Sequence, residues 1–499
     1  MKNSKVKKWA ENVVKQEEID KYLIDGEDFI KDELIWEKIE KNKNPDKEYV
    51  REIIQKSLNI ERLDPDETAA LLNVEDKDLW GEIKEAALKV KRKVYDNRVV
   101  LFAPLYISNL CVNNCLYCGF RKDNNEEVRR RLSMDEVKKE AESMIKMGHK
   151  RGLVVYGEHP KSDANYIKET IESIYDVKVD TGRKKGTIRR VNINAAPMKI
   201  EDLKKLWEVG VGTYQVFQET YHHDTYNKLH PSGPKSNYKW RLYALHRALE
   251  AGIDDVAIGA LFGLYDWRFE VMGLLYHAID LEKQFGGIGP HTISFPRLMD
   301  AQNAPYVQKT KYKVSDEDFK KLVAVLRLSI PYTGLIVTAR ERPEMRDEAM
   351  MLGCTQTDAS TRIGIGAYSE AYKEQEKNRQ QFVIDDTRDV DSVIRRFAKM
   401  GMISSFCTAG YRCGRTGKKI MDMLTTCQEG KFCKLNAILT FREWLDDFAS
   451  EETRKIGENL IKKEIKEVEN DPYFKENDLL KPFKKYYERI KNGERDIYI

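Results

Sequence analysis

The 499-residue sequence predicts an α/β fold of the (βα)8 TIM-type barrel kind, with a helical N-terminal segment and a mainly helical C-terminal extension. Eight apolar strand candidates recur through the middle of the chain, and a helical pattern separates each from the next. A loop with three cysteines directly follows the first strand. An open doubly wound sheet is the alternative, but polar residues after successive strands favour a barrel, whose sites are built from those loops.

The predicted elements can be placed in order along the chain. The strand candidates are residues 99–105, 152–157, 187–195, 212–218, 255–261, 291–296, 334–338 and 354–359. Ser133 and Glu136 form a capping box that begins a helix over 137–147. Ser315 similarly precedes the amphipathic run DFKKLVAVLRL. Eight such units with right-handed crossovers would close a barrel.

Three regions follow from these patterns. Residues 1–95 predict a helical N-terminal segment, residues 96–385 the barrel, and residues 386–499 a cysteine-containing helical extension with a charged tail. The chain carries 86 basic and 82 acidic residues, and its small net charge of +4 indicates neither a nucleic-acid nor a membrane-surface partner. No run approaches about 18 apolar residues, and the N-terminus lacks the apolar core of a signal peptide. We therefore expect a cytoplasmic protein.

Cysteine usage indicates metal binding. The eight cysteines form a cluster of three, a lone Cys354 and a C-terminal group of four, which suits metal ligation in a reducing compartment better than disulfides. Cys111, Cys115 and Cys118 have the spacing CxxxCxxC. Three thiolates on one short loop can hold three irons of a 4Fe-4S cluster and leave the fourth iron open to a small chelating molecule. A zinc loop is the alternative, but zinc sites usually show paired CxxC units.

Several stretches resemble one enzyme family. These stretches are FAPLYISNLCVNNCLYCGF, IRRVNINAA, GTYQVFQETYH, LHPSGPK, GIDDVAIGALFGL, GIGPHTISFPRL and IPYTGLI. They resemble the radical-SAM tyrosine lyases that mature FeFe-hydrogenase, the HydG family, and more distantly the 2-iminoacetate synthase of thiazole biosynthesis. The resemblance covers most of the chain. Tyr117, the aromatic residue before the last cysteine of the loop, is typical of radical-SAM enzymes.

The resemblance implies a reaction. A 4Fe-4S cluster and S-adenosyl-L-methionine would generate a 5′-deoxyadenosyl radical that abstracts hydrogen from tyrosine, with electrons from a reductant such as ferredoxin or flavodoxin. Cleavage of the Cα–Cβ bond would then give p-cresol and dehydroglycine. Hydrogenase-maturing members further convert dehydroglycine into CO and cyanide, on an extra iron attached to a second cluster that a C-terminal CxxC and a distant Cys hold.

The resemblance also implies substrate contacts. Glu219, at a strand end, would accept hydrogen bonds from a ribose or an ammonium group, and Arg362 would bind the amino-acid carboxylate. Tyr106 and His291 are predicted to point into the barrel mouth. The alternatives are a salt-bridged rim carboxylate for Glu219, an ordinary surface arginine for Arg362 and a buried, merely hydrogen-bonded histidine for His291.

Cofactor contacts are expected from Tyr117, Glu158, Arg190, Asn192 and Gly259. Glu158 belongs to the stretch VVYGE after the second strand, and the others lie in the cysteine loop or in strands where such enzymes contact the cofactor. Gly259 could equally serve close packing.

The C-terminal cysteines depart from the family pattern. Where the family would show CTACYR, this chain has CTAGYRC, so Cys407 is present, Gly410 replaces the middle ligand, and Cys433 stands at the distance of the third. Cys413 and Cys427 are additional thiols nearby. Four thiolates could saturate a zinc ion or a second Fe-S cluster and so close the position of the extra iron. The alternative is that no metal binds there.

Further departures concern the substrate and the extra iron. Val155 stands where a glutamate is usual, the family's SAGSRT stretch appears as DASTR, and no histidine follows His291. We therefore predict a radical-SAM lyase acting on tyrosine or a related aromatic amino acid, without CO or cyanide formation. Two alternatives remain: a full maturase in which Cys413 replaces the missing ligand, and a non-enzymatic carrier of an iron–sulfur cluster.

Overall fold

A closed parallel barrel forms the centre of the computed structural model, which describes residues 2–182, 184–370 and 380–499. Its eight strands are β1 (Arg98–Ser108), β2 (Arg151–Tyr156), β5 (Arg190–Asn194), β6 (Tyr214–Gln215), β7 (Val256–Gly259), β8 (Thr292–Ser294), β9 (Gly334–Val337) and β10 (Gln356–Asp358). Each pairs in parallel with the next, and β10 pairs with β1 to close the ring. The predicted barrel is confirmed, with one strand in each predicted interval; β1 is longer than predicted at both ends, and β2 begins one residue earlier.

Helices cover the outside of the barrel because each crossover between parallel strands must return across the sheet. They are α7 (Met134–Lys146), α8 (Ala164–Asp176), α9 (Ile200–Glu208), α10 (His223–Leu229), α11 (Tyr238–Leu242), α12 (Ala244–Glu250), α13 (Trp267–Gln284), α14 (Asp316–Ser329), α15 (Pro343–Met351) and α16 (Val390–Lys399). Ser133 and Glu136 form the expected capping box of α7, and Ser315 caps α14. A short hairpin of β3 (Val179–Asp180) and β4 (Lys185–Gly186) follows α8.

Further helices flank the barrel on both sides in sequence. The N-terminal ones are α1 (Lys2–Asn12), α2 (Glu17–Asp20), α3 (Asp32–Lys41), α4 (Lys47–Leu58), α5 (Pro65–Leu72) and α6 (Lys77–Tyr95). The C-terminal ones are α17 (Gly417–Thr425), α18 (Glu429–Phe448), α19 (Glu451–Asn470), α20 (Pro472–Glu476) and α21 (Leu480–Lys491). Helix α6 packs on α14, and α18 packs on β1, so both groups extend the barrel's hydrophobic core. The boundaries of the three regions stay predictions.

One strand of the extension joins the barrel. Strand β11 (Ile403–Ser405) pairs in parallel with residues 98–100 of β1, on the side where residues 103–108 of β1 pair with β2. Strand β11 therefore lies below β2, in line with it. The chain that leaves β11 enters the space beneath the first residue of β2, which places Cys407 at that end of the barrel.

Alternate residues of β5 show how the barrel is layered. Because side chains of a strand alternate between two faces, Arg190, Asn192 and Asn194 share one face. Asn194 lines the cavity at the C-terminal ends of the strands, which we call the upper mouth. Arg190 is the first residue of β5 and lies at the N-terminal ends, the lower mouth. In the described part of the chain, no helix combines the length and apolar character needed to span a membrane.

Candidate active site at the upper mouth

Three cysteines meet at one cavity above β1. Cys111, Cys115 and Cys118 all line it, and the cavity has about 1480 Å³ of empty space including its open side. The thiols lie within electrostatic range of one another, and burial raises the pKa of Cys115 to about 12 and that of the other two above the usual thiol value. An isolated thiol here would stay protonated, so a metal is needed to hold three thiolates together.

Asn113 organises the cysteine loop. Its Nδ2 donates to Glu158 Oε2 at 2.6 Å and lies 3.8 Å from Cys111 Sγ, while its Oδ1 accepts from the backbone N–H of Lys235 at 3.0 Å. The close approach requires glycine at position 233, where φ is +95° and a Cβ would stand 2.2 Å from Asn113 Oδ1. One asparagine thus links the cysteine loop to the ends of β2 and α10, a role that sequence reasoning missed.

Two further contacts hold the loop. Tyr117 donates its O–H to His230 Nε2 at 2.8 Å, because His230 Nδ1 bonds the carbonyl of Tyr226 at 2.7 Å. Burial holds the pKa of His230 well below its usual value, so the imidazole is neutral and can accept. On the other side, Gln381 Nε2 donates to Cys118 Sγ at 3.5 Å.

Glu219 is an ionised carboxylate in the cavity. Burial alone would raise its pKa, but Lys235 and Arg241 lower it below the usual value. Lys235 Nζ lies 2.6 Å and Arg241 Nη2 3.3 Å from Glu219 Oε1. Glu219 has φ +74°, uncommon for a residue with a Cβ and typical of constrained positions at functional sites. Glu219 thus lines the cavity, and its contacts with Lys235 and Arg241 also fit the alternative of a salt-bridged carboxylate.

Two other expected residues line the cavity. Glu158 lies beside Cys111 and Asn113, and burial raises the pKa of its carboxyl group above the usual value. Tyr106 donates to Gln381 Oε1 at 3.1 Å. Tyr106, Gln381 and Cys118 therefore form one chain of hydrogen bonds beside the cysteine loop.

Besides Arg241, which pairs with Glu219, the cavity is lined by the guanidinium of Arg340 and not by that of Arg362. Arg362 Nη1 donates to the carbonyl of Ala367 at 2.9 Å, and its side chain does not line the cavity. Arg340 follows β9, lines the cavity and stacks on Phe382 with 3.4 Å between its Cζ and the ring centroid. Sequence reasoning could have found it, because Arg340 stands just after the seventh barrel strand, where site residues of this fold occur.

Three predicted residues lie away from the cavity. Arg190 and His291 lie at the lower mouth. There Arg190 forms an ion pair with Asp255, and both of these charged groups interact electrostatically with His291. Asn192 lies between the mouths and accepts from the backbone N–H of Thr213 at 2.9 Å. The sequence pattern indicates which strand residues point into the barrel, but it does not indicate how far along the barrel axis each one lies. Asn194, one layer up, lines the cavity instead.

Gly259 serves close packing. A Cβ at this position would stand 2.5 Å from Cδ1 of Phe217 and 2.7 Å from the carbonyl oxygen of Ser294. The residue does not line the cavity. These distances fit the close-packing alternative given for this glycine.

The C-terminal cysteines do not share one environment. Cys407 and Cys433 interact electrostatically at the lower mouth, and Cys433 Sγ donates to Glu429 Oε1 at 3.1 Å. Cys427 instead faces Lys93 and Lys431. Cys413 ends the 3-10 turn Gly410–Cys413. Four thiols converging on one metal were expected, and the contacts of these side chains do not support that arrangement.

The cysteine loop fits a cluster better than the C-terminal group does. Within the described residues, neither region presents three His, Cys, Asp or Glu side chains in metal-coordinating geometry. The loop nevertheless supplies three thiols to one cavity and places amide donors near the sulfurs of Cys111 and Cys118. At the lower mouth, position 410 has no donor atom. A Cβ there would stand 3.5 Å from Glu429 Oε1, so the nearest group to that position is a carboxylate in ordinary van der Waals contact.

Comparisons with known proteins agree with this site. Residues 105–271 match the Radical SAM superfamily and residues 294–403 the Biotin and Thiamin Synthesis associated domain. The chain is 28% identical to the 2-iminoacetate synthase of Salmonella typhimurium over 351 residues, covering 70% of this chain and 88% of that enzyme.

Two crystal structures of HydG are similar over almost the whole chain. A maturase of the [FeFe]-hydrogenase shares 46% identity with a TM-score of 0.88, covering 95% of this chain and 100% of that one. The HydG of Carboxydothermus hydrogenoformans shares 38% identity with a TM-score of 0.76, covering 94% and 99%. The cysteine loop, the barrel and this similarity together show that the chain belongs to the HydG family of radical-SAM enzymes.

Proposed function

We propose that this protein cleaves the Cα–Cβ bond of tyrosine, or of a related aromatic amino acid, to give p-cresol, or its analogue, and dehydroglycine. The observation that carries the proposal is one cavity that holds three thiols, an ionised carboxylate and a guanidinium, from Cys111, Cys115, Cys118, Glu219 and Arg340. When bound, the cluster and S-adenosyl-L-methionine supply a 5′-deoxyadenosyl radical for hydrogen abstraction. The chain's own residues bind and orient the amino acid beside it.

An amino acid fits the polar groups of this cavity. Among the described residues, Arg340 makes one hydrogen bond, from Nη1 to the carbonyl of Arg297 at 3.4 Å, so its remaining N–H groups can bind a carboxylate. Glu219 Oε1 already accepts from Lys235 and Arg241, and its other oxygen can accept from an ammonium or ribose hydroxyl group.

An apolar part of the cavity lining suits an aromatic ring. Phe102, Leu153 and Ile336 form a small apolar cluster, with Val155 packed against it, and all four line the cavity. They come from β1, β2 and β9. A substrate with a charged head and an apolar body would place its carboxylate at Arg340 and its ring against this cluster.

We further propose that dehydroglycine, or its hydrolysis product glyoxylate, leaves the enzyme without conversion to CO and cyanide. Gly410 offers no side-chain donor atom, and the nearest group to that position is the carboxylate of Glu429. A cytoplasmic location and a ferredoxin- or flavodoxin-like reductant complete the proposal.

Anaerobic turnover tests the proposal. Reconstituted protein is incubated with dithionite, S-adenosyl-L-methionine and tyrosine, and 5′-deoxyadenosine and p-cresol are quantified. We expect both products from the wild type and neither from the variant in which Cys111, Cys115 and Cys118 are alanine. Cys354→Ala is the matched control, because this buried thiol lies outside the cavity.

Two outcomes would contradict the proposal. Absence of p-cresol, together with absence of an analogous product from phenylalanine or tryptophan, would remove the lyase reaction. Stoichiometric CO, trapped on deoxyhaemoglobin during tyrosine turnover, would show that the C-terminal site completes the maturase reaction despite Gly410.

A further inference from the structure

A second cavity lies beside the upper mouth of the barrel. It has about 910 Å³ of empty space including its open side, which is room for a small organic molecule. Five residues line both this cavity and the upper one, namely Tyr156, Gly157, Glu158, Ala195 and Ala196. The two cavities are therefore neighbours, and we call the second one the side cavity.

Helix α1 supplies one wall of the side cavity. Trp9 and Asn12 lie three residues apart on α1, a spacing that places them on one face of a helix, and Val13 follows directly. Trp9 is half-buried, although the neighbouring Lys7 and Lys8 are exposed. An indole ring held at a cavity wall suits a flat aromatic ligand, because aromatic rings stack on one another or pack edge to face.

Much of the remaining wall is apolar. Tyr156 ends β2, Ile167 belongs to α8, and residues 195–198 form the run Ala-Ala-Pro-Met after β5. Two charged residues of the lining, Lys199 and Asp202, form salt bridges with Glu201 and Lys205. The side cavity therefore suits a ligand with an apolar body and few polar groups.

A fixed turn brings polar groups to this apolar site. The backbone N–H of Ser162 donates to the carbonyl of His159 at 2.8 Å, and Pro160 stands at the second position of the turn, where proline is favoured. Arg131 Nη1 donates to the carbonyl of Lys161 at 2.7 Å. The turn is thus held by its own bonds and by a neighbouring side chain before any ligand binds.

The turn leaves a hydrogen-bonding group of two residues available. His159 Nδ1 accepts from the backbone N–H of Lys161 at 3.1 Å, and burial lowers the pKa of His159, so the neutral ring carries its proton on Nε2 and can donate there. Ser162 Oγ is buried and has no hydrogen-bond partner among residues 2–182, 184–370 and 380–499. An unpaired buried hydroxyl costs free energy, so a polar ligand atom at this position would be stabilised.

We propose that the side cavity binds a small phenol, with its hydroxyl group at Ser162 and His159 and its ring against Trp9. A phenol is neutral near pH 7, and its O–H both donates and accepts. It therefore matches an apolar wall that offers one N–H donor and one serine hydroxyl.

Two molecules could supply the phenol. The first is p-cresol, and this choice rests on the proposed function, because p-cresol would form in the adjoining upper cavity. The second is tyrosine, which carries the same phenol and whose carboxylate Lys15, a lysine of the lining, can bind. Of the two, p-cresol fits the largely apolar wall better, since it carries no charged group.

Calorimetry on the full-length reconstituted protein tests the site. p-Cresol, tyrosine and toluene are titrated without dithionite, so that no turnover occurs. Toluene has the ring and methyl group of p-cresol without the hydroxyl. We expect the wild type to bind p-cresol about fivefold more tightly than toluene, because toluene leaves Ser162 Oγ without a partner. Tyrosine that binds more tightly than p-cresol, and that depends on Ser162, would identify the substrate as the source of the phenol.

Variants locate the bound phenol. Ser162→Ala should bind p-cresol about fivefold more weakly and toluene within about twofold of wild type. Its melting temperature without ligand should stay unchanged, because the hydroxyl makes no bond that the change removes. Trp9→Leu should weaken both ligands about three- to tenfold, since both stack on the indole. Trp207→Leu is the matched control, because this tryptophan of α9 is 56% exposed and does not line the side cavity.

Three results would overturn the proposal. They are absence of p-cresol binding to the wild type, equal wild-type affinity for p-cresol and toluene, and p-cresol affinity that Ser162→Ala and Trp9→Leu leave unchanged. The lyase reaction is tested separately by p-cresol formation from tyrosine. If turnover gives no p-cresol while added p-cresol still binds through Ser162, the lyase proposal fails and the phenol site stands.

Discussion

Replacement of Arg340 by methionine is the most direct test of substrate binding. Methionine keeps most of the aliphatic length and loses the charge. In the structure the guanidinium stacks on Phe382 and makes one weak hydrogen bond, to the Arg297 carbonyl at 3.4 Å, so few native contacts are lost with it. The change should therefore act on the bound carboxylate far more than on the fold.

The expected loss follows from the bonds removed. Each hydrogen bond to a charged group is worth about 1.5–3 kcal/mol, and truncation of one partner of a buried charged pair costs about 2–5 kcal/mol. A loss of about 3–4 kcal/mol corresponds to roughly 10²–10³-fold in kcat/KM, since each 1.36 kcal/mol is tenfold. Cleavage of S-adenosyl-L-methionine uncoupled from tyrosine should continue, because the cysteine loop is unchanged.

The assay compares p-cresol and 5′-deoxyadenosine over a range of tyrosine concentrations. Arg362→Met serves as the matched control, and its kcat/KM should stay within about threefold of wild type, since Arg362 bonds the Ala367 carbonyl outside the cavity. The reverse pattern, with Arg362→Met inactive and Arg340→Met active, would refute the assignment of the carboxylate-binding guanidinium.

Three further changes give distinct outcomes. Gly233→Ala forces a Cβ to within 2.2 Å of Asn113 Oδ1 at φ +95°, so the iron-to-protein ratio after reconstitution should fall; full iron content would contradict this. Lys235→Met removes a cation that lowers the pKa of Glu219, so the acid limb of the pH–rate profile, where the ionised carboxylate is lost as pH falls, should move to higher pH. Tyr117→Phe leaves its histidine partner without a donor, at a cost of about 1–3 kcal/mol in thermal unfolding; an unchanged melting temperature would argue against that bond.

The sequence predicted the barrel and the cysteine loop because both depend on local spacing. Apolar runs between helical patterns located each strand, and the loop's three cysteines needed no long-range information. Depth within the barrel was not predictable in the same way. Arg190 and Asn194 share one face of β5 but lie at opposite mouths, and pattern alone cannot choose between them.

The sequence pattern also could not predict contacts between segments that are distant in the chain. In the sequence Asn113 is an ordinary loop asparagine, and its role depends on contacts with the distant Gly233 and Lys235. Gln381 likewise contacts Cys118, from which it is separated by more than half of the chain. The C-terminal cysteines show the opposite error. Their regular spacing predicted one site, but Cys427 lies among lysines and Cys407 among arginines. Spacing cannot fix the convergence of side chains on separate turns and helices.

The position of β1 between β2, β10 and β11 has a consequence for synthesis of the protein. Strand β1 is made early, yet its partners on β10 and β11 lie roughly 250 to 300 residues later in the chain. At about 5–20 residues per second, a ribosome needs on the order of 10–60 s to deliver them. During that interval the segments of β1 that later pair with β10 and β11 have no partner strand, and every residue of β1 is one that the folded protein buries. An unpaired apolar strand edge of this kind can pair with other chains. A nascent chain shortened before residue 403 should therefore depend on chaperones to remain unaggregated, whereas the complete chain closes its own edge.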